Sequence, residues 1–299
     1  MMADWRRVWK VAVAVGDTIN EKNLSLIASG IAFFGLLSVF PAIAAMVSLW
    51  GLVSDPSELQ AQLVEIRSLV PEQAFELIDG QISALILARD ETLGWTSAVS
   101  LLFALWSARA GVSALMRAMN AIYQVPARGN MRHYADALLL TVLLIAVAFV
   151  ALASVVIMPV ILAIFPIGTW TELAIDGVRW AAAIFVIMAA LGVLYRYGPN
   201  RQGVRTNWLT PGAVLTLFLW VLSSAAFSIY LSRFGNYNEV YGSIGAVIAL
   251  LMWFYISAFL VLVGAATNAY LEGQYDPEKP EPAPGQPPQQ SSDTVFEQL

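Results

Sequence analysis

Four residues in the stretch "LLFALWSARAGVSALMRAMNAIY", Leu101 to Tyr123, have the types and spacing for binding chemistry. Arg109, Ser113, Arg117 and Asn120 stand at offsets of 0, 4, 8 and 11, which stay near one angle on a helix of 3.6 residues per turn. They would form one cationic, hydrogen-bonding face, and no acidic residue within the stretch neutralises it. Such a face suits an anionic or polar headgroup. A plainer reading is also open. Arg109 lies about 16 residues in from Leu93, near the inner interface, where a long cationic side chain reaches the headgroups, and Gly111 would mark a bend. An arginine deep in a span costs about 2.5 kcal/mol on insertion scales and several times that in calculations.

Two other clusters invite similar questions. Gly245 and Ala249 form a small-xxx-small pair, and Ser257, Gly264 and Asn268 share a helix face further along. Small residues let helix backbones approach closely in lipid, and Asn268 offers an interhelical hydrogen bond, so packing or the lining of a pathway is expected here. In "YRYGPNRQGVRTNW", Arg196, Arg201 and Arg205 surround Pro199 and Gly203. This is an inner-face turn that contacts phosphate headgroups or sets topology.

Enzymatic constellations are poor. Cysteine is absent and His133 is the single histidine, which excludes disulfides, thiolate metal sites and most histidine-based acid–base chemistry. No GxSxG, HExxH or Walker loop occurs. Asp136 beside His133 is one pair, too little for a nuclease that holds metal ions with several carboxylates. The expectation is no catalytic residue, no metal site and no cofactor.

The elements that must position these residues follow from composition. The chain of 299 residues is 59% hydrophobic and 12% charged, about half the charged share of a soluble domain. Apolar runs long enough to span recur at Ile27–Leu52, from Leu93 towards Arg109, and at Ala135–Phe165, Val178–Tyr197, Leu209–Leu231 and Ile244–Leu271. An all-α polytopic membrane protein with six transmembrane helices is therefore expected. Residues 1–26 read as a cytoplasmic amphipathic segment, with Trp5, Trp9 and Val13 at helical spacing beside Arg6, Arg7 and Lys10. Residues 27–272 form the membrane domain, and 273–299 a disordered, Pro-rich cytoplasmic tail.

Charge is placed unevenly. Residues of about 53–92 carry −6 and read as a helical extracytoplasmic insert, whereas 272–299 carry −5 and the remainder +6. Lys and Arg concentrate before span one and after spans two and four, which puts both termini inside. This charge distribution lacks the basic face that a nucleic-acid partner needs. Membrane lipid is the expected partner, with an anionic amphiphile as a possible substrate.

"ASGIAFFGLLSVFP", "SARAGVSALMRAMNAIY", "YRYGPN" and "YGSIGAVIALLMWFYISAFLVLVGAATNA", in that order, resemble the YihY/BrkB family of bacterial inner-membrane proteins over roughly residues 10–272. The resemblance implies six membrane helices. Members have carried the label ribonuclease BN, regarded as a misassignment, and roles in serum resistance and in envelope lipid or lipopolysaccharide transport have been proposed for some. The family-like positions here are Pro41, Gly111, Asn120, Tyr123, Pro199, Asn200, Gly242, Trp253, Tyr255, Ser257, Gly264 and Asn268. Family members often carry a glutamate after the Gly-Ala of the last helix, where this chain has Ala266, which puts a proton-coupled mechanism in doubt. Transport or flipping of an amphiphilic envelope component is the leading expectation. A structural scaffold for envelope partners is second, and a membrane-bound ribonuclease a distant third.

Overall fold

The computed structural model describes residues 2–51, 90–164, 169–201, 207–233 and 243–273. The insert expected at about 53–92, but for its last positions 90–92, lies outside these residues, as do the tail beyond Gly273, Arg205 and Gly242. The described residues form helices α1 (Met2–Glu21), α2 (Leu24–Gly51), α3 (Asp90–Ile122), α4 (Asn130–Ile164), α5 (Thr169–Tyr197), α6 (Pro211–Arg233) and α7 (Ser243–Leu271). No strand occurs among them.

Among the described residues, five stretches are long and apolar enough to cross a membrane: Leu24–Ala42, Ala98–Ile122, Asn130–Ala148, Pro211–Leu231 and Val247–Leu271. A shorter apolar stretch, Ala181–Tyr197, ends α5. Each of the five, and the shorter stretch, overlaps one of the six expected spans, consistent with a polytopic helical membrane protein of about six spans. Apolar side chains such as Leu102, Leu139, Phe185 and Phe218 stand exposed along them. In water such a surface would aggregate; in a bilayer it is the face that meets lipid. Pro41 sits inside α2, a position that membrane helices tolerate because neighbouring groups satisfy the freed carbonyl.

Helix ends follow local chemistry. Asn23 adopts a left-handed backbone (φ 51°) and stops α1; asparagine is the side chain that takes this conformation most readily after glycine. Gln124 does the same at the end of α3 (φ 50°). There Val125 N–H donates to Asn120 O (3.0 Å) and Gln124 N–H to Ala121 O (3.3 Å), the paired closing bonds of a Schellman motif. In α1, Ala14, Val15 and Thr18 are buried, while Trp9 and Val13 are exposed.

The chain packs as two compact units. One comprises Ala28–Val112 and Val221–Ala258. Within it, Ser107 Oγ donates to Phe34 O (3.2 Å), tying α3 to α2, and the Phe254 ring of α7 lies against α2 at Gly35. The other comprises Met1–Ile27, Ser113–Trp220 and Phe259–Leu299. Here α4 and α5 pack along each other. Its buried core draws Met116, Met119 and Ile122 from α3, Leu140 from α4, Leu191 and Tyr195 from α5, Ala213 from α6, and Leu262 and Ala265 from α7.

Two glycines set the α6–α7 separation in this second unit. A Cβ at Gly264 would overlap Thr216 Oγ1 and Tyr195 Oη and stand 2.7 Å from Gly212 O. One at Gly212 would overlap Gly264 O and the Asn268 carboxamide. At Gly111, by contrast, a methyl would meet only Phe34 Cβ at 3.5 Å and Ile31 O at 3.7 Å, ordinary contacts. We expect Gly264→Ala to destabilise the protein by about 1–3 kcal/mol through overpacking, read as an earlier midpoint in a denaturing-detergent titration. Gly111→Ala should unfold within error of wild type. Equal midpoints for the two variants would refute the close α6–α7 approach.

Candidate functional site

The site is built in the second unit, where the end of α3, the end of α5, the start of α6 and the end of α7 supply polar side chains. At the start of α6, Thr210 is the N-cap and Pro211 the first helical residue, a favoured pairing because proline lacks an N–H to satisfy. Thr210 Oγ1 accepts from Ala213 N–H at 3.2 Å. The neighbouring orphan donor, Gly212 N–H, is met from another helix: Asn268 Oδ1 accepts it at 2.7 Å. The same carboxamide donates through Nδ2 to Thr210 Oγ1 at 2.9 Å. A short distance away, the Tyr195 hydroxyl lies 2.9 Å from Thr216 Oγ1 and donates to Val261 O at 2.9 Å, while Thr216 Oγ1 donates to Leu260 O at 3.2 Å. Helices α5, α6 and α7 are thus joined by side chains that use both ends of their polar groups.

The end of α5 is finished by Arg128, from the connection before α4. Its Nη1 donates to Gly198 O (2.8 Å), and its Nη2 donates to Tyr197 O (3.1 Å) and Pro199 O (3.0 Å). Arg128 Nε pairs with Asp136 at 3.0 Å, with the arginine side chain 9% exposed. Burial lowers the Arg128 pKa and Asp136 works against that shift; guanidinium remains charged at any working pH. Next along, Asn200 N–H donates to Asn120 Oδ1 at 2.8 Å and Asn200 Nδ2 to Pro126 O at 3.0 Å. The turn after α5 is therefore held against the end of α3.

That turn delivers Arg201 into the interior. Its guanidinium carbon lies 3.6 Å from the centroid of the Tyr123 ring, Nη1 pairs with Glu272, and the arginine side chain is 3% exposed. A cation over an aromatic face is favourable, more so when desolvated. Tyr123 is itself 2% exposed. Burial pushes its phenol well above the ordinary tyrosine range, with Arg201 pulling against that rise, so Tyr123 is neutral and keeps its proton.

The residues of the Leu101–Tyr123 face have different fates. Arg109 is half-buried. Ser113 is buried, its Oγ 2.7 Å from His133 Nε2. Arg117 is exposed. Asn120 is buried against the Asn200 backbone. In α7, Gly245, Ala249 and Ser257 are half-buried, and Gly264 and Asn268 are buried. Among the three turn arginines, Arg196 lies 5.1 Å from the Trp208 ring centroid and 5.9 Å from that of Tyr197, and Arg201 is interior. Sequence reasoning missed Thr210, Thr216 and Tyr195, and read Arg128 only as a topology charge. The Thr-Pro-Gly at 210–212 was the available signal for the first. No group of three or more His, Cys, Asp or Glu that could hold a metal occurs among the described residues.

Asn268→Ala removes an acceptor from a buried N–H and a donor from a buried hydroxyl. The expected cost is about 1–3 kcal/mol. Thr267→Ala deletes a hydroxyl that only donates within its own helix, to Val263 O, and should be nearly neutral. A detergent-unfolding series over the two variants separates them; an unchanged midpoint for Asn268→Ala would contradict the capping role.

Comparison with known proteins fits this architecture. Residues 15–289 match the family model described as Virulence factor BrkB. The chain is 31% identical over 250 residues to the "Putative ribonuclease-like protein YfkH" of Bacillus subtilis (strain 168), covering 81% of this chain and 87% of that protein. It is 34% identical over 105 residues to the "UPF0761 membrane protein IL2447" of Idiomarina loihiensis, 35% of this chain and 36% of that one. To a "UPF0761 membrane protein" of Verminephrobacter eiseniae it is 28% identical over 277 residues, 88% of this chain but 62% of the longer relative. No solved structure matches. With a family model matched over most of its length and helices of membrane-spanning length, the chain belongs to the BrkB family and is a membrane protein.

Proposed function

We propose that this protein moves or flips an amphiphilic, anionic component of the bacterial envelope across the inner membrane, with both termini cytoplasmic. The observation that carries this reading is the polar side of α3. In the span Ala98–Ile122, whose only charged residues are Arg109 and Arg117, the helix keeps Arg109 half-buried and Ser113 and Asn120 buried. Polar groups within a span are expensive and usually face a protein interior or a water-filled path. On this reading Arg109 and Asn120 meet the polar group of the substrate, Arg117, exposed at the edge of that face, draws the anion in, and the substrate's chains stay in lipid. Lys and Arg in the short connections after spans two and four support the orientation.

A second reading, a non-transporting scaffold for envelope partners, draws support from the Arg128 and Asn268 connections, which join helix ends as a rigid anchor would. A nuclease has no such observation behind it, because Asp136 is taken up by Arg128 and Arg132 and His133 by Ser113.

The test is reconstitution into vesicles carrying fluorescent phosphatidylglycerol in both leaflets, with a membrane-impermeant quencher added outside. Wild type should expose inner-leaflet lipid several-fold faster than empty vesicles, and Arg109→Ala should slow that exposure at equal reconstitution. Rates equal to empty vesicles for wild type would sink the transport reading. If cells then lost function on deletion of residues 276–299 or replacement of 55–90, but not with Arg109→Ala, the scaffold would take its place.

A further inference from the structure

The Arg201 side chain presents an arrangement that neither the α3 face nor the helix connections explain. A guanidinium carries five N–H donors, and those on Nε and Nη2 point the same way along one edge, the edge that grips a carboxylate or phosphate with two parallel bonds. Glu272 engages the other side, through Nη1. Nε and Nη2 are both buried and meet no hydrogen-bond partner among the described residues. Two further buried groups share this condition: Asn120 Nδ2 and Tyr123 Oη.

These three residues belong together. The Tyr123 ring lies under the Arg201 guanidinium at 3.6 Å. Asn120, one turn earlier on α3, accepts the backbone N–H of Asn200, the residue next to Arg201. That bond occupies Oδ1 and so fixes which end of the carboxamide is left: the donor end. Tyr123 is neutral and keeps its hydroxyl proton. Every unpartnered group in the cluster can therefore donate a hydrogen bond, and one carries a positive charge. Donors outnumber acceptors here, since only the Tyr123 oxygen can also accept, so the group that satisfies them is an acceptor-rich anion, and the two-pronged edge selects planar or tetrahedral oxyanions over chloride.

We propose that Arg201, with Asn120 and Tyr123, forms a binding site for a phosphate group, borne by a lipid headgroup or by a free phosphate anion. Arg201 supplies the charge and the paired bonds. Asn120 and Tyr123 supply single neutral donors, and the Tyr123 ring holds the guanidinium in plane. Glu272, whose side chain is 29% exposed, steadies the far side of Arg201 and opposes the anion by like charge. The site lies wholly within the second unit; it shares Asn120 with the α3 face but stands on Arg201 and Tyr123, which that face does not include.

Full-length protein in a neutral maltoside detergent, titrated calorimetrically with inorganic phosphate and separately with dioctanoyl phosphatidate, against chloride at matched ionic strength, tests this. Wild type is expected to bind at least one probe saturably. Arg201→Lys keeps the charge but loses the fork, and Asn120→Asp keeps the acceptor for Asn200 while replacing the donor with a negative oxygen. Each should weaken binding by about tenfold or more. Glu272→Gln removes the opposing charge and should tighten it several-fold. Saturable phosphatidate binding without phosphate binding identifies a lipid headgroup; comparable affinity for both identifies a site for the bare anion; either supports the proposal. Absence of saturable binding to wild type overturns it, as does affinity unchanged in Asn120→Asp and Glu272→Gln. Those two near-isosteric variants carry the test should Arg201→Lys fail to fold.

Discussion

The close approach of α6 to α7 at Gly212 and Gly264 is the contact on which the polar architecture depends. With no side chain on either residue, the Asn268 carboxamide reaches the Gly212 N–H across the helix pair. The same proximity lets Tyr195 and Thr216 close on the Leu260 and Val261 carbonyls. Lipid tails are as apolar as the helix surfaces, so no hydrophobic force holds such helices together; contact and hydrogen bonds must. From Tyr195 the order passes along α5 to its last carbonyls, gathered by Arg128, then to Asn200 on Asn120, and so to Arg201. A shift of α6 against α7 would move Tyr195 first and the Arg201 turn with it.

Helix termini drive much of this detail. A helix leaves four N–H and four C=O groups without internal partners at its two ends, and burial makes each expensive. Here each end finds its own solution. The end of α3 closes on itself through Gln124, the end of α5 borrows Arg128, and the start of α6 combines its own Thr210 with Asn268 from α7. Because two of the three solutions come from elsewhere in the chain, they fix tertiary structure as well as local structure.

The spans were legible because length and apolarity alone decide what can cross a bilayer. Asn268 was legible too, as a polar residue among small ones in an apolar run, although its partner was not. The arginines were not. Arg128, Arg196 and Arg201 look alike as cations in short connections, yet one clamps carbonyls, one stacks on Trp208 and one is buried on Tyr123. Charge pattern reports which side of the membrane a loop occupies and says nothing of what each guanidinium touches. The face drawn through Arg109, Ser113, Arg117 and Asn120 was also too generous. At 100° per residue an offset of 8 stands about 80° from the origin, against about 40° and 20° for offsets of 4 and 11. Arg117 accordingly emerges at the surface while Ser113 and Asn120 are buried.

Donor and acceptor bookkeeping separates the groups that hold the fold from those turned towards something else. In the Thr210–Asn268–Gly212 set, donors and acceptors alternate, and each closes on the next. A network of that kind has no reason to admit a ligand, since any newcomer must break a bond to make one. Around Arg201 the sign is uniform: guanidinium, carboxamide and phenol all present hydrogens, with Asn120 Oδ1 already taken by Asn200. Only the Tyr123 oxygen can also accept, and it falls short of the donors around it, so no rotation of these side chains completes the set from within. Leaving a buried donor unmade costs on the order of 1–3 kcal/mol, and more when it is charged. A chain that resolves its helix ends so fully a few residues away leaves these donors, among the described residues, open to the phosphate group proposed for them.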